Sequence, residues 1–278
     1  MIQWSKLTFS GFIILISISV HAQDIFGKEN TRRFADHLFK AGEYELAIQE
    51  YKRLLFMDPT DEGAFLNLSR SYNNSGLFEE GIMAIEKRFI ELKDMPEITL
   101  REYLSMLIHH NDIHRSREVI KQDLNITEAH RLSIMVTNEL LEANWEEADS
   151  IIKKDPGSKH PLLFRYELLI EKGQDLKLKK AGLAGTMSVI IPGAGKVYAG
   201  FWKDGLMSFI FTGMSAWQAY RGFERRGTSS VYGWIFAGFG TGFYLGNIYG
   251  SVKAAKKWNN THKNAIINDA KNAFNIHY

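Results

Sequence analysis

Between residues 44 and 148 an aromatic or branched residue is followed, three positions on, by a small one, as Tyr44/Ala47, Phe78/Gly81, Ile113/Ser116 and Trp145/Ala148. The small residues stand 34, 35 and 32 positions apart, and helical apolar periodicity flanks each on both sides. A fixed period in this range limits the possible folds severely. One helix pair of that length cannot bury its own apolar face, so successive pairs must stack on one another. The small residue then marks where two helices cross closely. Gly42, Gly76 and Asn111 stand just ahead of the first three patterns and read as the turns between paired helices. Pro96, Pro156 and Pro161 mark further boundaries, since proline cannot continue a helix.

The first unit, with Ala35, Leu38, Gly42, Ala47, Tyr51, Leu54 and Pro59, resembles the tetratricopeptide repeat at nearly every signature position. The second keeps Leu68, Ser69, Tyr72, Gly76, Gly81 and Ile85. Units three and four keep the period and the small residue, and a fifth opens at Pro161. The resemblance implies an all-α, helical-hairpin solenoid over residues 24–177 whose first helices line a groove for protein partners. Carried across position by position, it points to Arg32, Asp36 and Lys40 in unit one and to Arg70, Asn73 and Asn74 in unit two as partner-binding residues.

After Lys180 the composition changes. Residues 181–195, 205–220 and 227–252 are free of charged side chains. The last of these, if helical, is about 39 Å long at 1.5 Å per residue, against a bilayer core of about 30 Å, so a transmembrane helix is expected there. Gly238, Gly242, Gly246 and Gly250 recur every four residues, as do Ser208, Thr212 and Ala216. The spacing predicts two small-residue stripes that pack together as an antiparallel hairpin turning within residues 221–228. On that reading Leu at Gly242 or Gly246 expels the chain from its membrane. Pro192, Gly193, Gly195, Tyr198, Gly200, Asp204 and Gly205, with Gly246, Asn247 and Gly250 further on, resemble the TM2-like hydrophobic-hairpin families of bacterial membrane proteins over residues 178–260. The resemblance implies a membrane-associated glycine-rich hairpin and no agreed activity. Residues 261–278 read as a polar C-terminal tail.

Lys6 followed by the apolar run 7–20 and Val20-His21-Ala22 has the form of an export signal cleaved near residue 23. The run is too short to span a bilayer. The expected location is therefore the bacterial cell envelope, facing the periplasm and associated with a membrane. The 278-residue chain has no cysteine, which excludes disulfides, thiolate metal sites and cysteine nucleophiles. A balance of 34 basic against 32 acidic residues gives no field that would draw nucleic acid.

No catalytic or metal constellation emerges. Gly195-Lys196 lacks the upstream glycine and following hydroxyl of a phosphate loop. His109, His110, Asp112 and His114 are the one cluster of ligand types, and they coincide with the turn of unit three. No cofactor is expected. The sequence is that of a non-catalytic scaffold with a protein partner in the repeat groove and a membrane lipid or membrane complex at the hairpin. The alternative is an accessory subunit of a membrane transporter or membrane-embedded enzyme that uses Lys196, Tyr198, Asp204 and Asn247 near the glycine turns.

Overall fold

The computed structural model describes residues 27–122, 124–154 and 160–278, so the expected export signal lies outside the described residues. The chain forms two compact units, Met1–Gly76 and Leu77–Tyr278, and among the described residues every regular element is helical.

The first unit holds α1 (Lys28–Lys40), α2 (Tyr44–Met57) and α3 (Glu62–Ser75), with α2 packed on both α1 and α3. Gly42 between α1 and α2 has φ +81°, a left-handed conformation that glycine adopts without a Cβ penalty. The Glu43 amide then reaches back to the Leu38 carbonyl (2.9 Å), closing the end of α1. Asp61 caps α3 by accepting from the Ala64 amide (3.0 Å), and Gly76 ends it at φ +78°. Ala35, Ala47, Tyr51 and Leu54 are wholly buried and form the core.

The second unit opens with α4 (Phe78–Arg88), α5 (Glu97–His109), α6 (Ile113–Ile120), α7 (Glu128–Leu141), α8 (Trp145–Lys154) and α9 (Pro161–Gln174), each packed on the next. The four pattern residues Tyr44, Phe78, Ile113 and Trp145 are the first residues of α2, α4, α6 and α8, and the small residue one turn later is buried in each. Two positions before each of these helices the backbone turns left-handed, at Gly42, Gly76, Asn111 (φ 64°) and Ala143 (φ 60°). The Asp112 amide bonds to Leu107 O and the Asn144 amide to Glu139 O, the same closure as at Glu43. At the fourth turn the left-handed position itself is held by Ala143, neither glycine nor asparagine, with Asn144 one residue later.

The rest of this unit is α10 (Ala181–Ile190), the short α11 (Ala194–Tyr198), α12 (Trp202–Arg226) and α13 (Val231–His277). At 47 residues α13 is about 70 Å long. Its N-terminal part packs on α10, α11 and α12, and its C-terminal part on α7 and α9. Residues 261–277, polar by composition, continue this helix.

Helices α12 and α13 run antiparallel, as shown by the pairings of Gly222 with Gly233, Ser215 with Gly240, and Phe211 with Phe243. Helix α12 continues through Arg226, and a single 3-10 turn at Gly227–Ser229 reverses the chain a few residues later than the spacing predicts. The expected meeting of the two four-residue stripes does not occur. A Cβ built on Gly238, Gly242 or Gly246 meets nothing within 4 Å, and one on Gly250 meets only the Lys196 side chain. The buried residues of α12 are Gly205, Thr212, Ser215, Ala219 and Gly222, a repeat alternating between three and four. Four residues of an α-helix turn through about 400°, so a four-residue stripe drifts about 40° per step away from a straight neighbour, whereas a 3.5-residue seam keeps facing it.

A second expectation is overturned. Among the described residues no helix is long and apolar enough to cross a membrane, so the transmembrane helix expected in residues 227–252 is withdrawn. The physical reason is that an uncharged window is not an apolar one. Glycine, serine, threonine and tyrosine fill these windows, and they add little to the free energy of transfer that drives insertion.

Candidate functional site

On the first unit, the residues expected in a partner groove lie along α1 and α3. Arg32 is ion-paired to Asp61. Asp36 accepts from the Tyr51 hydroxyl (2.7 Å) and from Asn67 Nδ2 (3.5 Å). Burial, and then that carboxylate, push the Tyr51 hydroxyl well above its ordinary pKa. Arg32 and Asp36 are thus committed to internal partners that tie α1 to α3. Lys40 is exposed at the end of α1, and Asn74 donates to the Arg70 carbonyl one turn back (2.8 Å), with Asn73 half-buried beside it.

On the second unit, α5, α7 and α9 present a face that is already occupied by the end of α13. Ile266, Ala270, Ala273 and Phe274 are buried there. The Phe274 ring is fully buried, edge-on to His109 at 5.5 Å and stacked on Tyr278 at 4.5 Å. Arg101 of α5 lies over the Tyr278 ring at 5.5 Å, and Ser133 of α7 shares a hydrogen bond with the Tyr278 hydroxyl (2.6 Å). His109 Nε2 donates to Asn275 Oδ1 (2.8 Å). Two small alanines let the helix approach closely, and an aromatic pair anchors its end. Nothing in the composition of residues 261–278 announces this docking. The signal that could have found it is the spacing of Ile266, Ala270, Ala273 and Phe274 at three and four residues.

Three histidines cluster at this end of α13, and one of them, His277, is its own last residue. His130 and His160 lie edge-on at 5.1 Å, and His277 is 6.2 Å from His160. His160 also caps α9, its Nδ1 accepting from the Leu162 amide (3.3 Å), which only a neutral ring can do. Burial, then the positive potential of His130, His277 and Arg101, pushes His160 down to about 4. Burial and Arg101 lower His130 too, against the opposing pull of Glu97, and burial lowers His109. Asp112 accepts from the Arg115 amide (3.1 Å) and so caps α6. Among the described residues no group of three or more His, Cys, Asp or Glu side chains converges to hold a metal.

The glycine turn before α12 is a tightly fitted knot. Gly193 has φ +93°, and a Cβ on it would lie 2.0 Å from the Gly205 carbonyl oxygen. One on Gly195 would lie 1.8 Å from the Ala184 carbonyl oxygen, and one on Gly205 would lie 2.6 Å from the Val197 side chain. Asn247, buried in α13, accepts from the Gly193 amide (3.0 Å), while Ser188 accepts from the Gly195 amide (2.9 Å) and shares a hydrogen bond with Ser251 (2.7 Å). Gly200 ends α11 at φ +88°, and the Tyr198 hydroxyl accepts from the Lys180 amide (3.1 Å). Asn259 closes the base of this region by bonding both the amide and the carbonyl of Lys179 (2.7 and 2.9 Å). Pro192 borders an apolar cleft of about 630 Å³ with Met187, Trp202, Leu206 and Phe209.

Asp204 is exposed beside Lys196, which donates to Ser208 (2.8 Å), and both line a cavity of about 310 Å³ next to Gly242, Gly246 and Asn247. Beyond the knot, the outward faces of α10, α12 and α13 carry most of the exposed large hydrophobic side chains among the described residues, including Leu206, Phe209, Trp217, Trp234, Phe239 and Leu245. No protein-family model, curated protein or solved structure matches the chain.

Proposed function

We propose that the chain is a non-catalytic adaptor of the bacterial cell envelope. In this reading each unit carries tetratricopeptide-like helical hairpins, and the face of α5, α7 and α9 takes a helical segment of a partner protein. The glycine-rich α10–α13 region, TM2-like in motif, lies against a membrane surface or membrane complex from one side, without crossing it, and faces the periplasm. One observation carries the reading: the α5, α7 and α9 face seats a helix, the chain's own, through an aromatic pair, two alanines and a ring of polar contacts. The exposed aromatic and aliphatic side chains of α12 and α13 support the second half, because an apolar surface of this extent is an interaction surface. On the first unit, taken by itself, Lys40, Arg70, Asn73 and Asn74 are the partner-facing residues of this reading.

Since the seat is occupied, a partner helix competes with the end of α13. The test is affinity purification in mild detergent from cells carrying either the wild-type chain or Phe274→Asp. The substitution is expected to increase recovery of a defined partner several-fold, and a synthetic peptide of residues 262–278 is expected to elute that partner. Recovery of the bare chain from both, or elution indifferent to the peptide, overturns the adaptor reading.

The cavity beside Lys196 and Asp204 favours a second reading, an accessory subunit of a membrane transporter or enzyme that uses those two polar groups. It predicts that Asp204→Asn abolishes the cellular phenotype while Phe274→Asp spares it. The adaptor reading predicts that Asp204→Asn spares the phenotype and that Phe274→Asp, by freeing the seat, alters it.

A further inference from the structure

Three arginines crowd the tip of the α12–α13 pair. Arg221, Arg225 and Arg226 line a cavity of about 440 Å³ together with Ser229, Val231 and Tyr232, and no carboxylate lines it. Several arginines elsewhere are neutralised, Arg32 by Asp61, Arg115 by Glu86 and Arg117 by Glu139 and Glu142, whereas Arg101 and Arg165 stand singly and not in a cluster. None of the three at the tip forms an ion pair among the described residues. Arg221 and Arg225 are also like charges one helical turn apart, an arrangement that repels unless an anion lies between them. The Arg221 guanidinium packs over the Trp217 ring at 5.2 Å, which fixes its direction. Tyr232 is held by donating to Gln218 (2.9 Å).

The second wall of the cavity is the start of α13. Ser230 caps that helix by accepting from the Gly233 amide (3.0 Å), and its first intrahelical bond runs from the Trp234 amide to Ser230 O. The amides of Val231 and Tyr232 therefore precede the helical bonding at the same wall. Guanidinium forks, a serine hydroxyl and helix-opening amides together are the donor set that phosphate oxygens take, with no carboxylate opposing them. Exposed apolar side chains flank the mouth: Val231, Trp217, Tyr220 and Trp234 are each more than half exposed.

We propose that this cavity binds a phosphate group carried by an anionic ligand, the guanidinium of Arg221 and the flexible ends of Arg225 and Arg226 closing on its oxygens. The flanking apolar side chains make the phosphodiester of an anionic lipid headgroup one source. That choice of source rests on the membrane-docking reading above, whereas the phosphate site itself does not. A soluble phosphate ester would use the same donors.

The full chain is tested by flotation with phosphatidylcholine vesicles and with vesicles of equal parts phosphatidylcholine and phosphatidylglycerol, and by calorimetry with glycerol 1-phosphate. Two variants remove the same charge: Arg221→Gln/Arg225→Gln/Arg226→Gln at the cavity and Lys253→Gln/Lys256→Gln/Lys257→Gln on the exposed middle of α13. The wild-type chain is expected to prefer the anionic vesicles, by about a hundredfold from three arginines. The arginine variant loses that preference and keeps its binding to neutral vesicles, and the lysine variant keeps both. Wild-type chain that ignores all vesicles yet binds glycerol 1-phosphate through the arginines supports the phosphate site with a soluble source and rejects the docking reading. Equal losses in the two variants reduce the effect to net charge and overturn the site. So does an arginine variant that keeps its preference, or an absence of binding to any phosphate probe.

Discussion

Ala143 and Gly195 show how much a single backbone position carries in this chain. Ala143 sits at φ 60°, where the repeat elsewhere places glycine or asparagine, and an alanine there costs roughly 1 kcal/mol against its Cβ. Ala143→Gly is therefore expected to raise stability by about that amount, read as a higher denaturation midpoint with an unchanged slope. At Gly195 a methyl group would collide with the Ala184 carbonyl at 1.8 Å, whereas at Gly242 it would meet nothing. Gly195→Ala is expected to lose the folded α10–α13 region or lower its melting temperature sharply, and Gly242→Ala to leave both unchanged, as thermal denaturation will show. Gly42, Gly76 and Asn111 were legible as turns because their residue types favour left-handed backbone. Ala143 was not, because alanine is the best helix former and only the neighbouring helices force it out of that state.

The elements were legible as helices wherever apolar spacing ran at 3.6 residues, and the repeat pattern located the first residue of four of them. Their pairing was less so. Small residues at intervals of four look like a packing stripe on a helical wheel, but α12 buries the alternating three-and-four seam that stays in register with a neighbouring helix. The polar end of α13 is the other case. Its docking rests on Phe274, a fully buried side chain worth about 3–5 kcal/mol on truncation. Phe274→Ala is expected to strip amide hydrogen-exchange protection from residues 262–277 while residues 231–255 keep theirs, because α10, α11 and α12 hold that part independently. Uniform loss along the helix would show that α13 docks as a single cooperative element.

At the scale of the molecule, the contact between α13 and the α5, α7 and α9 face makes the second unit sensitive to acid. His160, His130 and His109 all hold their protons less tightly when folded than the ordinary histidine value near 6.5, so between that value and about 4 the unfolded or undocked state binds more protons. Stability therefore rises with pH through this window and falls as the medium is acidified. Glu97 beside His130 opposes the effect, while Arg101 and the mutual repulsion of His130, His160 and His277 favour it. Acidification from pH 7 to 5 is expected to lower the melting temperature of the chain, and His160→Asn, which keeps a side-chain acceptor for the α9 cap, is expected to flatten that dependence. Helix, turn and repeat spacing were fixed by local chemistry, since one residue type at one interval is enough to specify a bend or a buried stripe. Whether α13 ends free or docked, which small residues touch, and where unpaired arginines meet depends on side chains from distant segments arriving at one place. Only close packing of the tertiary structure, which admits one register and excludes its neighbours, decides that.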